Sequence, residues 1–173
     1  MSANSDTVDL TKKIEAYYRG ERISNAALFL IGGGAITWTL LLFLWRQGHL
    51  SSGFFFSTLP LGSFFIISGG YRFIRSFKNF KQAVSSIGQV SFYREEIKRL
   101  ESRNERFKRK RNVNSITAIA GFFSCIITIL SDMNHILIGT CITITLFSSL
   151  LLVFDLFGQF RVEEYLHFLK KAS

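Results

Sequence analysis

Charge and apolar character are segregated into blocks along this chain: two uncharged apolar stretches, a strongly basic stretch, then two more uncharged apolar stretches. No Asp, Glu, Lys or Arg occurs at residues 23–45, 47–71, 112–131 or 133–154. A helix needs roughly 20 predominantly apolar residues to cross the hydrocarbon core of a bilayer. A helix of that length in water must keep a polar face, so four such runs predict four membrane spans. A hydrophobic content of 48% is within reach of a soluble domain; the distribution decides. Nineteen Phe and a single Pro suit lipid-facing helices with few breaks.

The expected fold class is an all-α membrane protein: four transmembrane helices as two helical hairpins, with a cytoplasmic helical hairpin and amphipathic terminal helices. The boundaries read as one polytopic unit, residues 1–173. It comprises an amphipathic cytoplasmic helix at 1–22, spans at 23–45, 53–71, 113–131 and 134–157, a cytoplasmic hairpin at 72–112 and a cytoplasmic tail helix at 158–173. The first 22 residues are polar and charged, which predicts no cleaved leader. Residue 2 is Ser and the chain ends Lys-Lys-Ala-Ser, which predicts no lipid anchor.

Orientation follows from lysine and arginine. Four lie before the first apolar run, thirteen between residues 72 and 111, and three after residue 157, leaving only Arg46 for the short loops on the other side. Basic loops stay in the cytoplasm, so both termini and the basic middle segment are expected there, in a bacterial cytoplasmic membrane. The net charge of +9 is thus mostly topology, and nucleic acid is not an expected partner.

A shift of 89 positions superposes Arg22 on Arg111, Asn25 on Asn114, Gly32 on Gly121, Thr39 on Thr128, Gly69 on Gly158 and Arg72 on Arg161. The matches include polar punctuation at the ends of the runs as well as apolar positions. They read as a parallel tandem repeat of a hairpin unit or as convergent hydropathy of two hairpins with one orientation.

Within the spans, small residues let helix backbones approach where lipid removes the usual hydrophobic drive. Gly32, Gly33, Gly34, Gly69, Gly70 and Gly121 are the packing candidates, and Pro60 is expected to kink the second span. Cys125 and Cys141 lie inside spans and read as small apolar packers. Asp155 is the one acid inside a predicted span. Such a group is a functional candidate by default, set against pairing with Arg72 or Arg161 at the nearby boundary. His49, Asp132 and His135, with Arg46, read as solvated loop residues in place of a metal site.

Outside the spans, Leu10, Ile14, Tyr17 and Tyr18 fall on one helical face. Phe73, Phe77, Phe80, Val84 and Ile87 continue the second run as an apolar seam, and Tyr93, Ile97, Leu100 and Phe107 form a thinner one, with a turn near Ser85 to Gly88. Residues 103–111 (RNERFKRKR) hold six basic side chains: Arg103, Arg106, Lys108, Arg109, Lys110 and Arg111. Near a membrane each contributes about 1 kcal/mol toward anionic headgroups, so anionic inner-leaflet lipid or a protein partner is the expected contact.

No metal-ligand, nucleotide or nucleophile–base pattern is present in the chain, so no cofactor and no catalytic residue is expected. The functional expectation is a non-enzymatic membrane protein acting through protein–protein contacts at its basic cytoplasmic face, as a homo-oligomer with a cytosolic or membrane protein partner. Toxin-immunity partners and membrane components of bacterial defence systems are proteins of that kind. The alternative is a subunit of an oligomeric channel or pore.

Overall fold

The computed structural model describes residues 3–45, 48–87, 91–131 and 134–172. Four long helices fill them: α1 (Ala3–Trp45), α2 (His49–Ser85), α3 (Phe92–Leu130) and α4 (His135–Ala172). Arg46, Gly88 and Asp132 lie outside the described residues. All four helices are long and apolar enough to cross a membrane, which makes this a multi-pass membrane protein by length and composition.

The helices are 37 to 43 residues long. At about 1.5 Å per residue each spans about 55–65 Å, roughly twice the hydrocarbon thickness of a bilayer. The apolar run occupies only one half of each: the C-terminal half of α1 and α3 and the N-terminal half of α2 and α4. Packing as antiparallel hairpins, α1 on α2 and α3 on α4, collects all four apolar halves at one end and all four charged halves at the other. The chain enters and leaves at the charged end.

No break divides the amphipathic lead-in of α1 from its apolar half. The helix runs straight on, and residues 10–18 pack against the other helices; Leu10, Ile14, Tyr17 and Tyr18 are all buried. Likewise α2 runs through Pro60 to Ser85, so the basic middle segment consists of the overhanging ends of two spanning helices. At the start of α2 the Ser51 hydroxyl donates to the Gly48 carbonyl (2.8 Å) and accepts from the Gly48 N–H (3.1 Å). At the start of α4 the Asn134 side-chain oxygen accepts the Ile136 N–H (3.0 Å), relieving one of the orphan donors of a helix N-terminus.

The two ends obey opposite burial rules. The charged end is built like a water-soluble bundle: Leu10, Ile14, Tyr18, Leu100, Val162 and Leu169 form a core drawn from α1, α3 and α4, joined by Ala83 of α2. The apolar end has a small core of Leu28, Phe65 and Phe147 and wears its large side chains outside. Trp45 is 89% exposed, Ile67 71% and Leu130 80%. An apolar sheath of this extent is far beyond the patches that soluble monomers show to water.

α4 is central and touches the other three helices, whereas α3 packs its backbone mainly on α4. Close approaches are made at glycines. A Cβ on Gly32 would lie 2.6 Å from the Gly62 carbonyl oxygen of α2, one on Gly69 2.9 Å from backbone atoms of Asn25 and Phe29, and one on Gly121 2.6 Å from the Thr145 hydroxyl. Gly33 and Gly34 face open space, and Gly70 meets only the Phe29 ring at ordinary van der Waals distance. The buried face of α2 at the charged end runs through Gly69, Ser76 and Ala83, and Phe77 lies toward the surface. The seam read from sequence holds in part: Phe80, Val84 and Ile87 pack against the core of the charged end, Phe77 lies outward, and the most deeply buried positions of α2 are the small Gly69, Ser76 and Ala83.

Gly32→Val should lower the melting temperature of the detergent-purified protein by several degrees, since the new side chain meets backbone. Gly34→Ala should leave it within a degree or two. Equal effects of the two substitutions on fluorescence-detected thermal unfolding would show that the α1–α2 approach is not made at Gly32.

Candidate functional site: a polar cap and an electropositive cavity

Where the charged halves meet, α3 is tied to α1 by side chains that bridge what the backbones do not. The Arg103 guanidinium donates to both oxygens of Glu21, at 2.6 and 3.0 Å, and lies over the rings of Tyr17 and Phe107. This fork geometry is specific to arginine. One turn earlier on α3, Arg99 pairs with Glu96 at 2.6 Å and donates to the Tyr18 hydroxyl. From α4, Arg161 reaches the Gly20 carbonyl at 2.6 Å. A Cβ at position 20 would sit 2.9 Å from the Arg161 side chain, so the glycine opens the groove along which Arg161 lies. Tyr17 stacks on Tyr165 with ring centroids 4.7 Å apart.

These groups lie in the charged halves, outside the spanning segments, and burial sets their electrostatics. It pushes the Tyr18 hydroxyl up to about 12, against the pull of Arg99. It also raises the Glu96 carboxyl above the usual carboxylate range, with Arg99 and Arg103 opposing. Desolvation is the leading cause in both, which marks this as an interior network and not a water-washed surface.

Just below it, toward the apolar end, lies a cavity of about 290 Å³ bounded by all four helices. Its floor is apolar, made by Leu28, Leu151 and Phe154. Its walls carry seven Lys and Arg side chains against two carboxylates. Glu21 is neutralised by Arg103. Asp155, the other acid, is buried and accepts a 2.7 Å hydrogen bond from the Asn114 side chain. Among the described residues no Lys or Arg nitrogen lies within ion-pair distance of Asp155, so its direct partner is an amide, where sequence suggested Arg72 or Arg161. Arg161 is engaged with Gly20 instead.

The basic run of residues 103–111 is divided among three tasks. Arg103 and Arg111 are structural: the first holds Glu21, and the second donates to the Gln159 side chain at 2.9 Å. Arg106 and Lys110 line the cavity. All four are exposed, but Lys108 and Arg109 lie outside the cavity lining. The Lys110 ammonium, just outside the apolar half of α3, is held below its ordinary pKa by burial and then by the cation of Arg72. Glu21, Glu96, Gly20 and Asn25 complete the site and were not singled out from sequence as participants. Glu96 was legible only as one of several helix-surface acids, and its burial depends on which face of α3 meets α1.

Among the described residues no group of three or more His, Cys, Asp or Glu could hold a metal ion. No protein-family model matches the chain, and no curated protein or solved structure matches it.

Arg103→Ala would leave the partly buried Glu21 without its bidentate partner and should cost about 1.5–3 kcal/mol of stability, the range for a hydrogen bond to a charged group. Glu101→Gln, which removes the pairing of Glu101 with Lys170 at 2.7 Å on an exposed surface, should cost less than about 1 kcal/mol. Chemical denaturation in a fixed detergent distinguishes them; a larger effect at Glu101 would contradict the assignment of the cap.

Proposed function

We propose that this is a non-enzymatic protein of a bacterial cytoplasmic membrane that works through protein–protein contacts at its charged end, with that end and both termini in the cytoplasm. The orientation rests on charge: of the lysines and arginines only Arg46 falls between helices at the apolar end, and basic segments are retained inside. The observation that carries the functional reading is the packing of the overhang. The charged halves continue as a packed bundle with its own core and cross-links, so basic side chains such as Lys108 and Arg109 are presented from a packed helical scaffold. A partner of complementary acidic surface fits that display. A toxin-immunity partner or a membrane component of a bacterial defence system is the class of role proposed.

The apolar half of α3 supports a homo-oligomer. It rests mainly on α4 and exposes Ile116, Ile119, Phe122, Phe123 and Ile127, a face that a second copy or lipid must cover. The alternative, a subunit of an oligomeric channel or pore, has less support. The buried hydroxyls of Thr39, Thr128 and Thr143 donate to carbonyls of their own helices, so they supply no polar lumen. We read the two halves as repeats, since Gly32 and Gly121 both sit at close helix approaches and Thr39 and Thr128 are buried with the same back-bonding.

Reporter fusions at the two termini should both give cytoplasmic signals. A protein that co-purifies with the wild type from native membranes should be lost from Lys108→Glu/Arg109→Glu, whose fold is untouched because both side chains are exposed. Opposite compartments for the termini, or full retention of the partner by the charge-reversed variant, would contradict this reading.

A further inference from the structure

We propose that the four-helix cavity is a binding site for a phosphorylated anion, and that its favoured occupant is the headgroup of an anionic phospholipid. The proposal is independent of any protein partner and needs only the fold described above.

Three observations converge. The first is positive charge that the protein compensates only in part: Asp155, the wall carboxylate not held by Arg103, acts on Lys110 and Arg72 from beyond ion-pair distance. Arg99, Arg103 and Arg161 are engaged by Glu96, Glu21 and the Gly20 carbonyl, but Arg72, Arg75 and Lys110 also face the cavity, and none of these three has a carboxylate within 4.0 Å among the described residues. Cations gathered at one site repel one another, and an anion placed among them relieves that repulsion. The second is the polarity of the neutral groups. Asn25 is only 6% exposed and its side-chain N–H₂ has no acceptor, and the Tyr17 hydroxyl is likewise buried without a partner. Both border the cavity. A buried donor without an acceptor forfeits the hydrogen bond it made to water, and a ligand offering only oxygen acceptors satisfies both at once. A phosphoryl group has that character, and arginines are suited to it by their fork of donors.

The third is position. The floor of Leu28, Leu151 and Phe154 belongs to the apolar halves and the walls to the charged halves. The cavity therefore lies where hydrocarbon gives way to headgroups. At about 290 Å³ it is at the small end of ligand pockets, enough for a headgroup and not for acyl chains. Those would lie along the sheath outside. A soluble phosphate shares the recognition chemistry but gains nothing from the apolar floor.

The test uses the full chain in a neutral detergent, analysed by native mass spectrometry with added phosphatidylglycerol, phosphatidylcholine, inorganic phosphate or ATP. Phosphatidylglycerol should be retained at least tenfold better than phosphatidylcholine. Arg72→Gln/Lys110→Gln should lose that preference. Lys108→Gln/Arg109→Gln, which removes the same charge from the exposed face, should keep it. Asn25→Asp, a near-isosteric change that adds a carboxylate to the wall, should weaken retention as well and serves if the double variant unfolds. Selective binding of inorganic phosphate or ATP with the same dependence on Arg72 and Lys110 would retain the site and reassign its occupant to a soluble anion. Equal retention by the cavity and surface variants, or no preference for any phosphorylated anion over phosphatidylcholine, would overturn the proposal.

Discussion

Each helix is about twice as long as a bilayer is thick, and that mismatch governs the molecule. One half of every helix is written for lipid and the other for water, so a single continuous element must bury opposite kinds of side chain along its length. The antiparallel hairpins resolve the conflict by stacking like halves together. In the apolar half, association depends on close backbone approach at Gly32, Gly69 and Gly121, because lipid supplies little hydrophobic drive between helices. In the charged half the ordinary hydrophobic effect returns, and Leu10, Ile14, Leu100 and Leu169 behave as in any soluble bundle.

The two regimes meet at the polar cap. There α3, whose backbone leans mainly on α4, is joined to α1 by the Arg103–Glu21 fork and by Arg99 with Tyr18. Side chains of this length bridge a gap that packing alone would leave open, and the space they do not fill is the cavity. Cation–aromatic contacts run through the same layer, with Arg22 over Phe77 and Phe80 and Lys13 over Phe168. Tyr17, Tyr18, Phe77, Phe80, Phe107 and Phe168 of the charged end thus lie against the protein's own cations.

Helix number, the lengths of the apolar runs and the gathering of charge at one end were all readable from the spacing of charged residues, because lipid tolerates few of them. Lateral packing was less legible. Hydropathy gives Gly32, Gly33 and Gly34 the same weight, yet only the first meets α2; rotation about the helix axis decides, and an apolar sheath carries no marker of it. The amphipathic face of α1 was clear from Leu10, Ile14, Tyr17 and Tyr18, since a helix with one wet side announces its buried side. On α2 the seam members Phe80, Val84 and Ile87 were legible and do pack on the core, but the more deeply buried small residues Gly69, Ser76 and Ala83 beside them carry little hydrophobic signal. The basic run of residues 103–111 looked uniform, but a step of one residue on a helix turns a side chain by about 100°. It thereby sends Arg103 to an ion pair, Lys110 to the exposed rim of the cavity and Lys108 to open solvent.

The division of each helix between two solvents is most directly tested by measuring depth. Single spin labels at Ile67, Ile119 and Phe157 in one set, and at Lys81, Glu101 and Glu164 in the other, can be placed on a background with Cys125 and Cys141 replaced by Ala and reconstituted in vesicles. All six positions are exposed, so the label reports its surroundings and not the protein core. Collision with oxygen, which concentrates in hydrocarbon, should dominate for the first set, and collision with a water-soluble nickel chelate for the second. Equal access of the nickel reagent to both sets would contradict the account at its root.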